Sequence, residues 1–398
     1  MRLIEVPVSN LQPGMFVAEL DRPWLDTPFA LQGFVVRDKE DLLYIAKYVD
    51  YVFVDVEYSG AQSFLPRSAS ASTENPLTAT VENRLKIKAE FQQARISFES
   101  AEKSLDRVFD SISKGRQTDI KIVKDSIQPL LNDVFRNQDA VAALVRLKET
   151  SEYRYNHGIS MAVWAAILGR HIGMDREKLE KLVVGCALCD LGMTKLPKEL
   201  IEQSGSLTDE QCLAISEHPL IGAKMVSNTS EADHEILAII ESHHERHDGS
   251  GYPRGLEGSN IPMLAKIAGL VDAYDAMITP RPHAAARSSY EAIQELIDSK
   301  GQHFQNALVE QFVQAIGLFP TGSLVELNNG EVAIVVKQNV MRRLKPEIVI
   351  VLDCDKNRKS PYELCDLSNA DMLAADARWI VRELKHGTYG IKGEEFFI

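Results

Sequence analysis

Residues His243–Pro253 read HHERHDGSGYP. Two adjacent imidazoles close a stretch in which Ile236, Leu237 and Ile240 recur at helical spacing. Asp248 and Gly249 then stop the helix and open a glycine-rich loop that lets backbone approach a ligand. Neighbouring helical side chains diverge by about 100°, so His243 and His244 share one metal ion only if it sits off the helix flank. The competing reading is a helix end that has collected surface histidines.

Working outward, further segments offer donors of the same kind. Asp272 lies in a helical run, Ile261 to Met277, among Ile267, Leu270, Val271 and Tyr274, where a carboxylate needs a partner. Asp190 occupies the same setting on a helix expected to end at Gly192. His157 opens the run GISMAVWAAILG, and His218 precedes a proline where a new helix begins. Imidazoles and carboxylates without paired thiolates suit iron, manganese or zinc with an open position for water. Each residue alone reads equally well as a buried, hydrogen-bonded Asp or His.

These residues fall in a segment, 141–319, that is helical in period almost throughout, with loops at Gly173, Gly192 to Pro197, Gly205 and Asp248 to Pro262. Six or seven helices are expected. Before it, 81–140 form a long helical connector in which Ile87, Phe91, Ala94, Phe98, Ala101, Leu105, Val108 and Ile112 make a heptad seam. A second copy would bury residues 87–112 in a parallel homodimer. Alternatively the stripe of Ile120, Ile127, Leu130 and Val134 in the same chain covers them.

Residues 1–66 alternate short apolar runs (Ile4 to Val8, Gly33 to Val36, Tyr51 to Val56) with EDLLYIAKY, as a small α/β unit does. The stretch RSASASTENP makes 67–80 a linker. Within 320–398, TGSLVELNNGEVAIVVKQN reads as two strands joined at Asn-Asn-Gly and EIVIVLDCD as a third, a β appendage followed by a tail. The fold class is mainly α: an all-helical bundle core between two small β-containing pieces.

Composition narrows the partners. With 44 Lys and Arg against 57 Asp and Glu, the net charge is −13, so polymeric nucleic acid is not bound through bulk charge. An anionic ligand requires local cations or metal ions. No apolar stretch is long enough for a signal peptide or a membrane helix, so the chain is expected in the cytoplasm. Five cysteines do not form a disulfide framework. The pair Cys186 and Cys189 lies inside the helical run REKLEKLVVGCALCD, which suits neither a zinc ribbon nor a redox motif.

The order His157, Asp190, His218, His243–His244, Asp272, with HHERHDGSGYP intact, resembles the HD-GYP family, a branch of the HD phosphohydrolases that hydrolyses cyclic di-GMP. The resemblance runs from about Glu149 to Phe319. Residues 1–60, with GMFVAELDRPWLDTPFALQGF, resemble the domain of undefined function that precedes many such cores, and FPTGSLVELNNG resembles the segment that follows them.

The resemblance implies that His157, Asp190 and Asp272 hold one ion and Asp190, His218, His243 and His244 another, with Asp190 bridging at the centre of catalysis. One or two divalent ions (iron, manganese or zinc) are implied, because Tyr153 stands where three-metal members carry a Glu. Arg281, in TPRPH, takes the phosphate-contacting position, and Gly251, Tyr252 and Pro253 form the loop beside the substrate.

Three departures meet at this site. Cys189 replaces the name-giving His, either as a thiolate ligand or as a small buried residue. Met193 replaces a lysine, with Lys195 two positions on. After Pro282 come His283 and Ala284 rather than a basic residue. The implied activity is therefore an attenuated phosphodiesterase releasing pGpG or GMP. The alternatives are a non-catalytic protein that binds cyclic di-GMP or a metal as sensor or scaffold, and a partner-binding module.

Overall fold

The structure, a computed structural model, describes residues 3–22, 34–36, 42–43, 45–55, 76–114, 121–147, 153–203, 205, 207–227, 229, 233–280, 286–339, 345–369, 377–385 and 387–391. The chain divides into two compact units, Met1–Val81 with His171–Met174, and Glu82–Arg170 with Asp175–Ile398.

In the first unit, β1 (Leu3–Pro7), β2 (Phe16–Leu20), β3 (Phe34–Val35) and β4 (Tyr51–Asp55) form an antiparallel sheet in the order β1-β4-β2-β3. Val6, Val17, Val52 and Val54 fill its core together with Ile45 from the EDLLYIAKY stretch. Strand β2 escapes the sequence reading because its register shifts between Val17 and Glu19. A bulge there breaks the alternation that marks a strand. Of the expected linker, 67–75 lie outside the described residues, and its last five positions already belong to a helix.

The second unit, from Glu82 on, takes in most of α1 (Pro76–Ser113), then α2 (Lys121–Arg136) and α3 (Gln138–Leu147). Phe91, Ala94, Phe98, Ala101, Leu105 and Val108 are all buried within the single chain, as are Ile127, Leu130 and Val134 of α2. Leu105 lies against Gly158 of the bundle. From Phe91 to Val108 the seam is therefore covered by the chain's own fold, so those residues leave no open stripe for the expected homodimer through 87–112.

The bundle that follows comprises α4 (Tyr153–His171), α5 (Arg176–Leu188), α6 (Lys198–Glu202), α7 (Asp209–Ser216), α8 (His218–Ser227), α9 (His234–Ser242), α10 (Met263–Ile278), α11 (Ser289–Asp298) and α12 (Asn306–Ile316). Among the described residues this is nine helices rather than six or seven, because the short α6 and α7 carry too few residues to show a period. Side-chain caps fix the starts: the Asp175 carboxylate accepts from Lys178 N, that of Asp233 from Glu235 N and Ile236 N, and Thr208 with Gln211 and Ser288 with Glu291 form capping boxes. Helix α9 sits at the centre, packed on α5, α8 and α10. Its inner face is Ile236, Ile239 and Ile240, all fully buried.

The appendage holds five strands, not three: β5 (Leu324–Leu327), β6 (Val332–Lys337), β7 (Glu347–Leu352), β8 (Arg358–Asp366) and β9 (Ile380–Leu384), antiparallel in the order β8-β7-β6-β5-β9. Strands β8 and β9 are half-exposed and heavily charged, so they lack the apolar alternation that exposes β5 to β7. Glu383 of β9 is buried and fastens the sheet to the bundle, pairing with Arg146 at 2.7 Å and accepting from Tyr290 N at 2.9 Å.

Candidate metal centre

Five segments bring their donors to one place. Helix α5 ends at Leu188, and Cys189–Lys195 continue as a 3-10 turn that carries Asp190. Asp190 is thus on the turn rather than on the helix itself. That turn packs so closely on α8 that a β-carbon at Gly192 would overlap the His218 carbonyl. His218 is the first residue of α8 and His243 the C-cap of α9. Asp272 projects from the middle of α10 and His157 from the first turns of α4.

Asp190, His218, His243 and His244 each place one ligand atom within 4.8 Å of the others. His218 Nδ1 donates to the Ile215 carbonyl at 2.8 Å and His243 Nδ1 to the Ile240 carbonyl at 2.9 Å. Both protons are thereby committed to backbone, and the two Nε2 lone pairs face each other at 3.4 Å, with Asp190 Oδ1 at 3.5 Å from His218 Nε2. Convergent lone pairs with no proton to place between them repel unless a cation is shared. Metal–nitrogen bonds of about 2.0–2.1 Å set ligand atoms roughly 3–3.4 Å apart around one ion, which matches these separations. The residues fit a divalent cation.

A second set adjoins the first. His157 Nε2 lies 3.0 Å from Asp272 Oδ1 and 4.0 Å from Asp190 Oδ2, while His244 Nδ1 is 3.5 Å from Asp272 Oδ2. Asp190 therefore faces both sets through its two oxygens. Electrostatics agree with ligand roles. Burial, reinforced by His218, lowers the His243 pKa to about 4, so its imidazole is neutral and free to coordinate. Burial and then His243 depress His244 likewise. Burial opposes ionisation of Asp272, but His244, His157 and His243 outweigh it and hold that carboxyl well below the usual range.

Cys189 is fully buried, and its thiol does not belong to the four-residue group. Burial, then Cys186, Asp190 and Asp272, push its pKa well up, which is the behaviour of a packed thiol rather than a poised thiolate. Lys195, two positions after Met193, directs its Nζ to the Ile112 carbonyl at 3.1 Å. Arg281, His283 and Ala284 lie outside the described residues, as does the side chain of Tyr153.

The loop Gly251–Pro253 closes one side. Tyr252 stacks on His244 with ring centroids 4.6 Å apart and planes at 29°, and its backbone N–H donates to the His244 carbonyl. A β-carbon at Gly251 would run into the backbone of His244 to Arg246, so the turn needs glycine there. Sequence reasoning missed what holds this loop: the buried Glu245 carboxylate accepts from Arg254 N at 2.8 Å and Leu256 N at 2.9 Å. It also missed Asp275, whose Oδ2 accepts from His157 Nδ1 at 2.7 Å. The signal for Asp275 was its place three residues after Asp272, on the same helical face.

A family model described as an HD domain matches residues 136–308; a domain of unknown function matches 3–123, and a KOW domain associated with HD domain matches 324–381. The chain is similar to a cyclic di-GMP phosphodiesterase of Pseudomonas aeruginosa, 28% identical over 92% of this chain and 90% of the relative. It is also similar to a cyclic di-GMP phosphodiesterase response regulator of Xanthomonas campestris, 31% identical over 45% of this chain and 51% of that one. Among solved structures, an HDG"Y"P protein from Bdellovibrio bacteriovorus aligns with a TM-score of 0.48 at 17% identity, over 78% of this chain and 98% of that one.

Proposed function

We propose that this chain, an HD-domain protein of the HD-GYP type, is a metal-dependent phosphodiesterase that opens cyclic di-GMP to pGpG or GMP, at a rate reduced by Cys189 and Met193. The convergence of bare imidazole nitrogens on Asp190 carries the reading. Two divalent ions, of iron, manganese or zinc, would supply the positive charge that a chain of net charge −13 lacks and would activate a water.

The chain's own residues do the rest. His157, Asp190 and Asp272 would hold one ion, and Asp190, His218, His243 and His244 the other. The Ile215 and Ile240 carbonyls fix the tautomers of His218 and His243, as partners behind metal-bound histidines do. Tyr252, fixed against His244, and the loop secured by Glu245 form a wall beside which a base can lie. Arg281 is assigned to a non-bridging phosphate oxygen, as a bidentate donor. With Met193 in place of a lysine, a proton donor near the leaving oxygen is lost, which typically costs on the order of 10²–10⁴ in rate.

Among the described residues no helix is long and apolar enough to cross a membrane. The buried Cys189 and the diverted Lys195 also support a second reading, a binder that senses cyclic di-GMP without turning it over. Metal analysis with chromatography of products separates the two: hydrolysis lost in Asp190→Ala supports the enzyme, whereas saturable binding to a metal-replete protein that leaves the dinucleotide intact supports the sensor.

A further inference from the structure

His157 is clamped between two carboxylates of a single helix. Its Nδ1 meets Asp275 Oδ2 at 2.7 Å, and its Nε2 meets Asp272 Oδ1 at 3.0 Å. The other oxygen of Asp275, Oδ1, accepts from Trp164 Nε1 at 3.1 Å. His157 and Trp164 both project from α4, two turns apart on one face, while Asp272 and Asp275 are one turn apart on α10. Asp275, Trp164 and His157 are all buried, and the Trp164 ring packs edge-on against Tyr274 at 5.3 Å.

We infer that Asp275 is a positioning residue that fixes the orientation of His157, holding a proton on Nδ1 so that Nε2, the nitrogen turned toward Asp272 and Asp190, is the one left for a metal ion. The inference rests on the proposed metal-dependent function, but its first readout does not. Asp275 touches neither substrate nor the open face of the site; it acts through His157, as carboxylates behind metal-bound histidines generally do.

The arithmetic of donors makes the proposal specific. A carboxylate has an acceptor for each of its two donors, the indole N–H and the imidazole N–H. Asp275→Asn leaves one oxygen for both. When that oxygen serves Trp164, the amide N–H group faces His157 Nδ1, which must then accept, and the proton moves to Nε2, the atom needed as ligand. Removing the indole N–H frees the single oxygen for His157 again. Trp164→Phe should therefore rescue Asp275→Asn, an outcome that mere packing does not produce.

The test uses full-length protein. In the metal-free state, long-range ¹⁵N–¹H correlations, assigned by comparison with His157→Gln, should show a proton on His157 Nδ1 in wild type, whatever Nε2 carries beside Asp272, and its loss from Nδ1 in Asp275→Asn. Metal titration should then show affinity at one of two ions falling about 10–100-fold in Asp275→Asn and recovering in Asp275→Asn/Trp164→Phe. A wild-type His157 with no proton on Nδ1 overturns the proposal without any variant having to fold. So does an Asp275→Asn protein with unchanged tautomer and unchanged metal affinity, or a double variant no better than the single one. If wild type holds Nδ1–H but binds no divalent ion, the metal-dependent function fails while the tautomer assignment stands.

Discussion

Glu245→Gln should loosen the loop that carries Gly251, Tyr252 and Pro253 while leaving every metal donor in place. Glu245 is 4% exposed, and its two carboxylate oxygens each take one backbone amide, Arg254 N at 2.8 Å and Leu256 N at 2.9 Å. Glutamine keeps one acceptor and turns an N–H group toward the other amide, so one charge-assisted bond is lost and two donors oppose each other. Such a bond contributes about 1.5–3 kcal/mol. Relief from burying one charge fewer offsets part of that, leaving a net cost of about 2 kcal/mol, or roughly 30-fold in the population of the closed loop. Amide hydrogen exchange at Arg254 and Leu256 should accelerate by about that factor, and KM for the dinucleotide should rise more than kcat falls, because Tyr252 loses its seat on His244. Unchanged exchange at both amides, with unfolding stability within about 0.5 kcal/mol of wild type, would refute the role assigned to Glu245.

Gly192→Ala should part the 3-10 turn from α8, because its β-carbon would overlap the His218 carbonyl and meet Gly222 N at 2.7 Å; metal content per chain should fall with it, read by mass spectrometry. Glu383→Ala should leave the half-buried Arg146 guanidinium without its partner and cost less than the about 3–5 kcal/mol of a fully buried pair, seen as a lower urea midpoint. The pair Cys189→His with Met193→Lys should raise turnover by on the order of 10²–10⁴ through the restored proton donor, against an overpacking cost of about 1–3 kcal/mol at the fully buried Cys189; an assay showing no gain in a folded, metal-replete variant would contradict the cause assigned to the attenuation.

Much of this site could be read in the sequence because its chemistry is concentrated in one contiguous stretch. HHERHDGSGYP supplies two ligands and the substrate loop, and the remaining donors stand out as polar residues in apolar helices. Asp275 and Glu245 went unread for a physical reason. Their role is to accept hydrogen bonds from groups 118 and about ten residues away, and such a pairing has no local signature. The α1 seam shows the converse. Spacing correctly marks Phe91 to Val108 as a stripe that must be buried, but a heptad pattern is the same whether the covering surface comes from the same chain or from a second copy. In the appendage, β8 and β9 are charged edge strands, so alternation failed where exposure removed the need for apolar residues.

The most direct measurement is the hydrolysis of cyclic di-GMP by metal-loaded wild type beside Asp190→Ala, with the metal content of each determined on the same sample. The account predicts close to two divalent ions per wild-type chain, slow release of pGpG or GMP, and loss of both metal and product in Asp190→Ala. A wild-type protein carrying its full metal complement that leaves the dinucleotide uncleaved over hours would contradict it.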